Sequence, residues 1–293
     1  MYFRGKIFLN KYKNKVTYVI VTFNEQDNIA SCIDSIRLFD PIAEIKVYDG
    51  GSNDDTVNIA RSKFVKVYEY PNTSLAYRRQ LGADHTDTQF IFYVDADHRI
   101  GELKISIKNV LIKYFAQSSK AGIMFRKHCL DSNYWGTGFF VRGDLFIYKN
   151  PNPKVIGMPC IFRNDLVKEV GFDLTADGSI DDTTLCLGII KRGYKLSIAD
   201  EYVTEKFRSS FLSTVSKAYW YGLGDAEFIK KFSGKTVYNH VYHIFIRQLF
   251  IHPIISMISR PRFLPFFLSF GLARCFGTIR GLIKLPDLKL TKS

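Results

Sequence analysis

The first 95 residues alternate between short apolar runs that suit strands and spaced apolar faces that suit helices, and few folds accept that order. Val16 to Thr22 (VTYVIVT), Glu44 to Tyr48 (EIKVY), Phe64 to Tyr70 and Phe90 to Val94 (FIFYV) are β-branched and aromatic runs of strand length. Between them, Ile29, Cys32, Ile33 and Ile36 recur on one helical face, and Val57, Ile59 and Ala60 form a second behind Asp54 or Asp55 as cap. Ser74 caps a third helix through Leu75 and Leu81. The order β-α-β-α-β-α-β predicts an α/β protein with a mostly parallel twisted sheet, helices on its faces and right-handed crossovers. Such sheets bind ligands beyond the C-terminal ends of their strands. The residues that follow each strand are therefore where chemistry is expected.

Those residues are polar and acidic. The first strand runs into Thr22-Phe23-Asn24-Glu25, the second into Asp49-Gly50-Gly51-Ser52, and the fourth into Asp95-Ala96-Asp97. Alternate strand residues share a face, so Asp95 and Asp97 point to one side and repel unless a cation or a hydroxylated ligand lies between them. Gly50-Gly51 reads as a tight turn and Asp54 as a helix cap. His98, following the turn, reads as a surface residue more readily than as a further ligand. Downstream, Asn164 to Gly171 reads as a helix with Asn as cap and Gly as stop, and Asp182 to Arg192 as another. Taken alone, the two acids at that start, Asp181 and Asp182, suit a helix dipole better than a reaction. Residues 128–158 are rich in Gly, Pro and aromatics and show no clear period.

Charge narrows where to look. Residues 201–293 carry a net +9 of the chain's +13, leaving the acid-rich first 200 residues nearly balanced. The five cysteines (Cys32, Cys129, Cys160, Cys186 and Cys275) are odd in number and far apart. That spacing argues against a disulfide framework and a zinc knuckle, and for a reducing compartment. Cys32 and Cys186 fall on apolar helix faces, where a thiol acts as a small hydrophobe. The basic N-terminus (MYFRGKIFLNKYKNK) lacks the continuous apolar stretch of a secretory signal.

From about Val237 the composition changes. Val241 to Ile258 and Phe263 to Ile283 are apolar and Phe-rich, interrupted by Arg247, Arg260, Arg262, Arg274 and Arg280. Each central arginine in a spanning helix costs roughly 3 kcal/mol, so these segments suit helices lying in a membrane interface better than clean spans. A buried helical hairpin with snorkelling arginines is the plainer alternative. The expected organisation is a catalytic domain over residues 1–235 and a basic, apolar helical membrane-associating extension over 236–293.

Taken together, four segments over roughly residues 16–200 resemble the family-2 glycosyltransferases of GT-A fold. Val19-Ile20-Val21-Thr22-Phe23-Asn24-Glu25 resembles the opening strand and turn, Asp49-Gly50-Gly51-Ser52-Asn53-Asp54-Asp55-Thr56 the second turn, Asp95-Ala96-Asp97 the D-x-D signature, and Gly171-Phe172-Asp173 with Asp181-Asp182-Thr183-Thr184-Leu185 the G-F-D…E-D-x-x-L segment. Leu75 to Ala83 resembles the A-R-N-x-G-A helix, with Arg79 at the arginine and Gln80 in place of Asn. The resemblance implies an inverting transfer from a UDP- or GDP-sugar. Thr22, Phe23 and Glu25 would lie near base and ribose, Asp49 would receive a base N–H, and Arg79 would meet a base carbonyl or phosphate. Asp97 would hold manganese or magnesium, with Asp95 on the ribose side or a second metal ligand. Asp181 would belong to the same substrate site, and Asp182 would be the general base.

Departures from the pattern carry information too. No Q-x-x-R-W follows, which argues against a processive synthase. Where relatives carry a His after the base, this chain has Thr204-Glu205-Lys206-Phe207-Arg208, so Lys206 or Arg208 would neutralise the diphosphate. The tail suggests a lipid-linked sugar or glycolipid acceptor and a peripheral or monotopic place on the cytoplasmic face of a membrane. The competing reading is an inactive GT-A-like scaffold that binds nucleic acid or membrane. Nucleic acid is not expected, because the tail's aromatics sit in apolar runs instead of interleaving with Lys and Arg.

Overall fold

The computed structural model describes residues 15–101, 103–130, 133–175, 179–206 and 210–283. One eight-stranded sheet forms the frame, in the order β3-β2-β1-β4-β7-β6-β8-β5. Its strands are β1 (Val16–Thr22), β2 (Glu44–Asp49), β3 (Lys66–Glu69), β4 (Phe90–Asp95), β5 (His98–Arg99), β6 (Lys120–Cys129), β7 (Cys160–Arg163) and β8 (Lys195–Glu205). β1 to β4 run parallel, as their alternation with helices requires. Beyond β4 the sheet is antiparallel, β7 pairing with both β4 and β6, and β5 with β8, so the whole is mixed.

Register decides where the strands deliver their last residues. Thr22 lies opposite Asp49, and Val21 opposite Asp95. The ends of β1, β2 and β4 therefore finish level, and the three polar turns expected from the sequence share one edge. Behind that edge, α1 (Ile29–Phe39), α2 (Thr56–Ser62) and α3 (Leu75–Asp84) cover the parallel half. Ile29, Cys32, Ile33 and Ile36 are fully buried against Tyr18, Ile20, Val47 and Phe92. Each Leu- or Ile-sized side chain buried in this way contributes about 1.5–3 kcal/mol. α4 (Ile107–Phe115), α6 (Asn164–Val170) and α7 (Asp181–Lys191) complete the helices of this layer.

Two compact units result: Met1–His128 with Asn150–Leu174 and Asp181–Glu205, and Cys129–Lys149 with Thr175–Ile180 and Lys206–Ser293. This division differs from the single boundary expected at 235/236, because a helix starting near 211 packs with the apolar tail. The second unit contains α5 (Tyr134–Phe146), α8 (Phe211–Lys231), α9 (Gly234–Tyr242), a π-helical stretch (His243–Ile251), α10 (His252–Ser259) and α11 (Leu264–Ile283). α8 and α11 meet backbone to backbone: a Cβ on Gly277 would lie 2.2 Å from the Tyr219 carbonyl oxygen, and one on Gly222 2.1 Å from that of Arg274. Phe139, Phe266, Phe267 and Phe270 fill the core of this unit. The helical stretches 234–259 and 261–283 are each long and apolar enough, by length and composition, to cross a membrane.

Two local expectations change. Residues 134–146 are helical although no period marks them, because Gly138 and Gly143 leave room for the rings of Phe266 and Tyr148 where an apolar stripe would otherwise stand. Asn133 caps this helix, its Oδ1 accepting from Gly136 N at 2.7 Å. Asn164 does not cap α6; it is buried, and its amide donates to the Thr86 carbonyl at 2.7 Å. Gly171 does stop that helix, at φ +74.

Candidate active site

The level strand ends bring three turns together. In the second turn Asp49 is fully buried, its Oδ2 accepting from Gly51 N and Ser52 N at 2.8 Å and its Oδ1 from Ser52 Oγ at 2.5 Å. Gly51 sits at φ +92, a conformation that favours glycine. Asp49 is thus largely committed to shaping its own turn, with one lone pair left on Oδ1 for a base N–H. Asp54, one residue before the Asp55 N-cap of α2, accepts from Thr56 N at 3.1 Å and also from Gln26 N at 3.2 Å, which ties the first turn to the second. Phe23 is exposed at this edge, Thr22 is buried, and Glu25 accepts from the Asn28 amide at 2.7 Å.

α3 contributes two adjacent arginines with different fates. Gly82 lets this helix press onto β1, since a Cβ there would meet Val19 at 2.6 Å, and Tyr93 Oη donates to the Arg79 carbonyl at 2.9 Å. So held, Arg79 is buried and donates through Nη1 to Asp181 Oδ2 at 2.6 Å and through Nη2 to Asp95 Oδ1 at 3.2 Å. It joins the D-x-D turn to the start of α7. The role expected for it, meeting a base or phosphate, is overridden by these two carboxylates, which hold its pKa above that of a free arginine despite the opposing effect of burial. Asp181 is likewise committed, as a buried partner of Arg79.

Arg78, one position earlier, faces the other way. Its guanidinium lies over Gly50, where a Cβ would collide with it, and near Asp49. It is buried, Nε lacks a hydrogen-bond partner, and burial pulls its pKa down. A buried guanidinium above a glycine turn, without a carboxylate in hydrogen-bond contact among the described residues, is suited to an anionic or carbonyl group of a ligand. One hundred degrees of helix separates it from Arg79, and only the packing of α3 tells the two apart.

At the β4 end, ligand atoms of Asp95, Asp97 and His98 lie within 4.8 Å of one another. His98 is buried, contrary to the surface position expected of it. Its Nδ1 accepts from Asp95 N at 3.0 Å, and Nε2 lies 3.5 Å from Glu205 Oε2. An imidazole whose Nδ1 accepts carries its proton on Nε2, and so has no lone pair left for a metal. His98 therefore fixes the turn, while the carboxylates of Asp95 and Asp97 are the oxygen donors that could hold a cation. Hard oxygen donors of this kind fit magnesium or manganese. Glu205 also pairs with the half-buried Lys127 at 2.8 Å, so the turn rests on an ion pair.

Asp182 lies one residue beyond Asp181 at the start of α7. Its Oδ2 faces Gly157, close enough that a Cβ there would stand 3.2 Å away. Burial, then repulsion by Asp181, push its carboxyl up to about 7, with Arg79 opposing. Lys206 is exposed immediately after β8, and Arg208 lies outside the described residues. Gln80, marked in the sequence only as standing in place of Asn, accepts through Oε1 from Phe172 N at 2.8 Å and anchors the Gly171-Phe172-Asp173 segment to α3.

Comparison with known proteins bears on the family and the fold. The glycosyl transferase family 2 model matches residues 17–168, just over half of the 293. The SPbeta prophage-derived glycosyltransferase SunS of Bacillus subtilis is 33% identical over 86 residues, 28% of this chain and 20% of SunS. The match thus spans a fifth of that relative's length. An uncharacterized glycosyltransferase of Rickettsia typhi is 29% identical over 118 residues, 38% of this chain and 40% of the relative. Among solved structures, the mannosyltransferase PcManGT from Pyrobaculum calidifontis, in complex with GDP-Man and Mn2+, has a TM-score of 0.68 at 15% identity, covering 97% of this chain and 94% of its own. A fragment of S. aureus TarS in complex with UDP-GlcNAc has a TM-score of 0.57 at 12% identity, with 92% and 91% covered. The fold is GT-A, with an apolar helical extension at its C-terminal end. By its matched domain, the chain belongs to glycosyl transferase family 2.

Proposed function

We propose that this chain transfers a sugar from a UDP- or GDP-sugar to an acceptor hydroxyl in one inverting, non-processive displacement, with Asp182 as general base. The observation that carries the reading is the Arg79 bridge, which ties Asp95 in the carboxylate turn to Asp181 beside Asp182. The bridge fixes a cation-binding end and a proton-accepting end relative to each other. With its carboxyl near 7, Asp182 is poised to take a proton at neutral pH. The acceptor oxygen attacks the anomeric carbon, its proton passes to Asp182, and the bond from that carbon to the diphosphate oxygen breaks. Attack from the side opposite the leaving group inverts the anomeric configuration.

Asp97 and Asp95 would hold a divalent cation, which when bound supplies charge stabilisation for the departing diphosphate. Arg78 takes over the base or phosphate contact first assigned to Arg79, Asp49 shapes the turn beneath it, and Thr22, Phe23 and Glu25 border the nucleotide. Lys206 adds positive charge after β8. The GDP-Man and Mn2+ of PcManGT and the UDP-GlcNAc of TarS support this donor class and this cation. The two apolar helical stretches support an acceptor that is itself membrane-borne, such as a lipid-linked sugar or glycolipid, met at the cytoplasmic face. Asp182→Asn should leave nucleotide diphosphate binding intact while lowering transfer by at least about a hundredfold. Near-normal turnover by this variant, measured directly on an acceptor, would refute the assignment.

A further inference from the structure

The helical second unit concentrates positive charge around a polar core that the carboxylates among its described residues do not pair off. Asp225 is spent on Arg274, which reaches its two oxygens at 2.6 and 2.8 Å, and on His240 at 2.9 Å. Arg142 on α5 makes no hydrogen bond or ion pair among the described residues. Its guanidinium lies 4.8 Å from the Phe270 ring centroid, and its Nε is buried without a partner. One helical turn along, Phe146 stacks on His252 with centroids 3.8 Å apart and planes 13° from parallel. His252 is 1% exposed, and both of its ring nitrogens lack a hydrogen-bond partner. Burying polar groups in this state costs on the order of 1–3 kcal/mol each, and a cation without a counter-charge costs more.

The π-helical stretch is what assembles the group. Nine residues of α-helix make about two and a half turns, which would put His243 and His252 on opposite sides. Wider π turns, of roughly 4.4 residues, complete about two turns over the same span. The two rings accordingly stand 5.8 Å apart, and His243 Nε2 meets Gln248, five residues on, at 3.1 Å. Arg247, exposed and four residues after His243, falls on the same side. This rare helix form gathers two imidazoles and an arginine beside Arg142.

We infer that Arg142, His252, His243 and Arg247 form a binding site for a phosphate-class anion within the helical unit, supplied by a lipid headgroup or a free phosphate ester. The site is separate from the transfer chemistry and does not rest on it. Fork-shaped guanidinium donors match phosphate oxygens, and one neutral imidazole adds an N–H donor and an acceptor for a protonated phosphate oxygen. Burial and the surrounding arginines keep both imidazoles neutral, His252 at about 3 and His243 at about 2, and push Arg142 down to about 10. An entering anion relieves each of these penalties at once.

The test uses the full chain. Thermal unfolding is followed in inorganic phosphate against chloride of equal ionic strength. In parallel, binding is measured to phosphatidylcholine vesicles carrying either phosphatidate or phosphatidylserine. Phosphate should raise Tm where chloride does not, because a ligand of the native state stabilises it by mass action. Phosphatidate vesicles should hold the chain on the order of tenfold better than phosphatidylserine vesicles. Arg142→Met should abolish both preferences and raise the ligand-free Tm, as expected when a partly buried, unpaired charge is removed. His252→Phe, which keeps the stack on Phe146, should weaken both preferences several-fold and decides the matter should Arg142→Met fail to fold. A response to phosphate alone assigns a free ester, and one to phosphatidate alone a lipid headgroup; either upholds the site. No phosphate-specific response in either arm, or responses that the variants leave unchanged, would overturn it.

Discussion

Asp182 ionises against burial and against Asp181, so its chemistry and the stability of the fold pull in opposite directions. Its folded pKa of about 7 lies above that of an unfolded Asp. Its contribution to stability is therefore fully present below about pH 4, declines as pH rises, and is lost once pH passes about 7. Asp182→Asn removes that titration. The variant should gain stability over the parent steadily from about pH 4 to 7 and level off above, by up to about 4 kcal/mol or roughly ten degrees in Tm. Thermal unfolding across that range checks it, and an advantage that shrank with rising pH would contradict the burial of this carboxylate. At this scale the acidic residues were legible, because strand ends announce themselves and Asp95, Asp97, Asp181 and Asp182 follow or open predicted elements. The arginines were not. Arg78 and Arg79 are neighbours in sequence, and only the pressing of Gly82 onto Val19 determines which one meets Asp181. His98 was misplaced for a similar reason: its partner Glu205 lies on a strand 107 residues away, paired only in the folded sheet.

Elements were readable where local pattern and tertiary fate coincide. β1 to β4 and the helices between them alternate in sequence and lie side by side, so propensity and packing agree. β7 inserts between β4 and β6, an arrangement that nothing near residues 160–163 encodes. α5 went unread because its glycines serve the rings of Phe266 and Tyr148 instead of a stripe of its own. The same device closes α8 on α11, where Gly277 and Gly222 let two backbones touch. Gly277→Ala places a methyl 2.2 Å from the Tyr219 carbonyl oxygen, which neither backbone can avoid without separating the helices. It should cost on the order of 2–4 kcal/mol, read as a fall in the denaturant midpoint. Leu272→Ala, on the exposed side of the same helix, should change stability by no more than about 0.5 kcal/mol. Equal losses from the two would mean that close approach of the helices is not what holds this unit.

For the molecule as a whole, the decisive question is how the C-terminal helices meet their surroundings. Tyr238, Tyr242, Ile246, Phe250, Ile254 and Ile258 are all exposed and recur every fourth residue, with the π stretch offsetting the drift such a spacing accumulates in an α-helix. Leu268, Leu272, Phe276, Ile279 and Ile283 form a comparable exposed line on α11. Contiguous apolar lines of this length are rare on a surface that faces only water. Of the five arginines that interrupt the tail, Arg274 and Arg280 turn inward, and Arg260 and Arg262 stand exposed at the turn between the helices. Arg247 alone of the five is exposed within a helix, so a shallow, interfacial seat is the arrangement with the least charge to bury. The net +9 of residues 201–293 adds attraction to anionic head groups, at roughly 1 kcal/mol per basic residue close to the surface. In vesicle flotation the full chain should bind membranes containing anionic lipid, be released in part by high salt or carbonate, and need detergent for the remainder. The full chain is the right object, because ending it at Lys235 would strip α8 of the Gly277 face it packs against. Proteolysis at the turn around residues 259–262 should be blocked or permitted from one side of a sealed vesicle only. Cleavage patterns placing the two ends of either helix in opposite compartments would establish a span. An intact chain that stays in solution at low salt beside anionic vesicles would instead give both apolar lines to another protein surface.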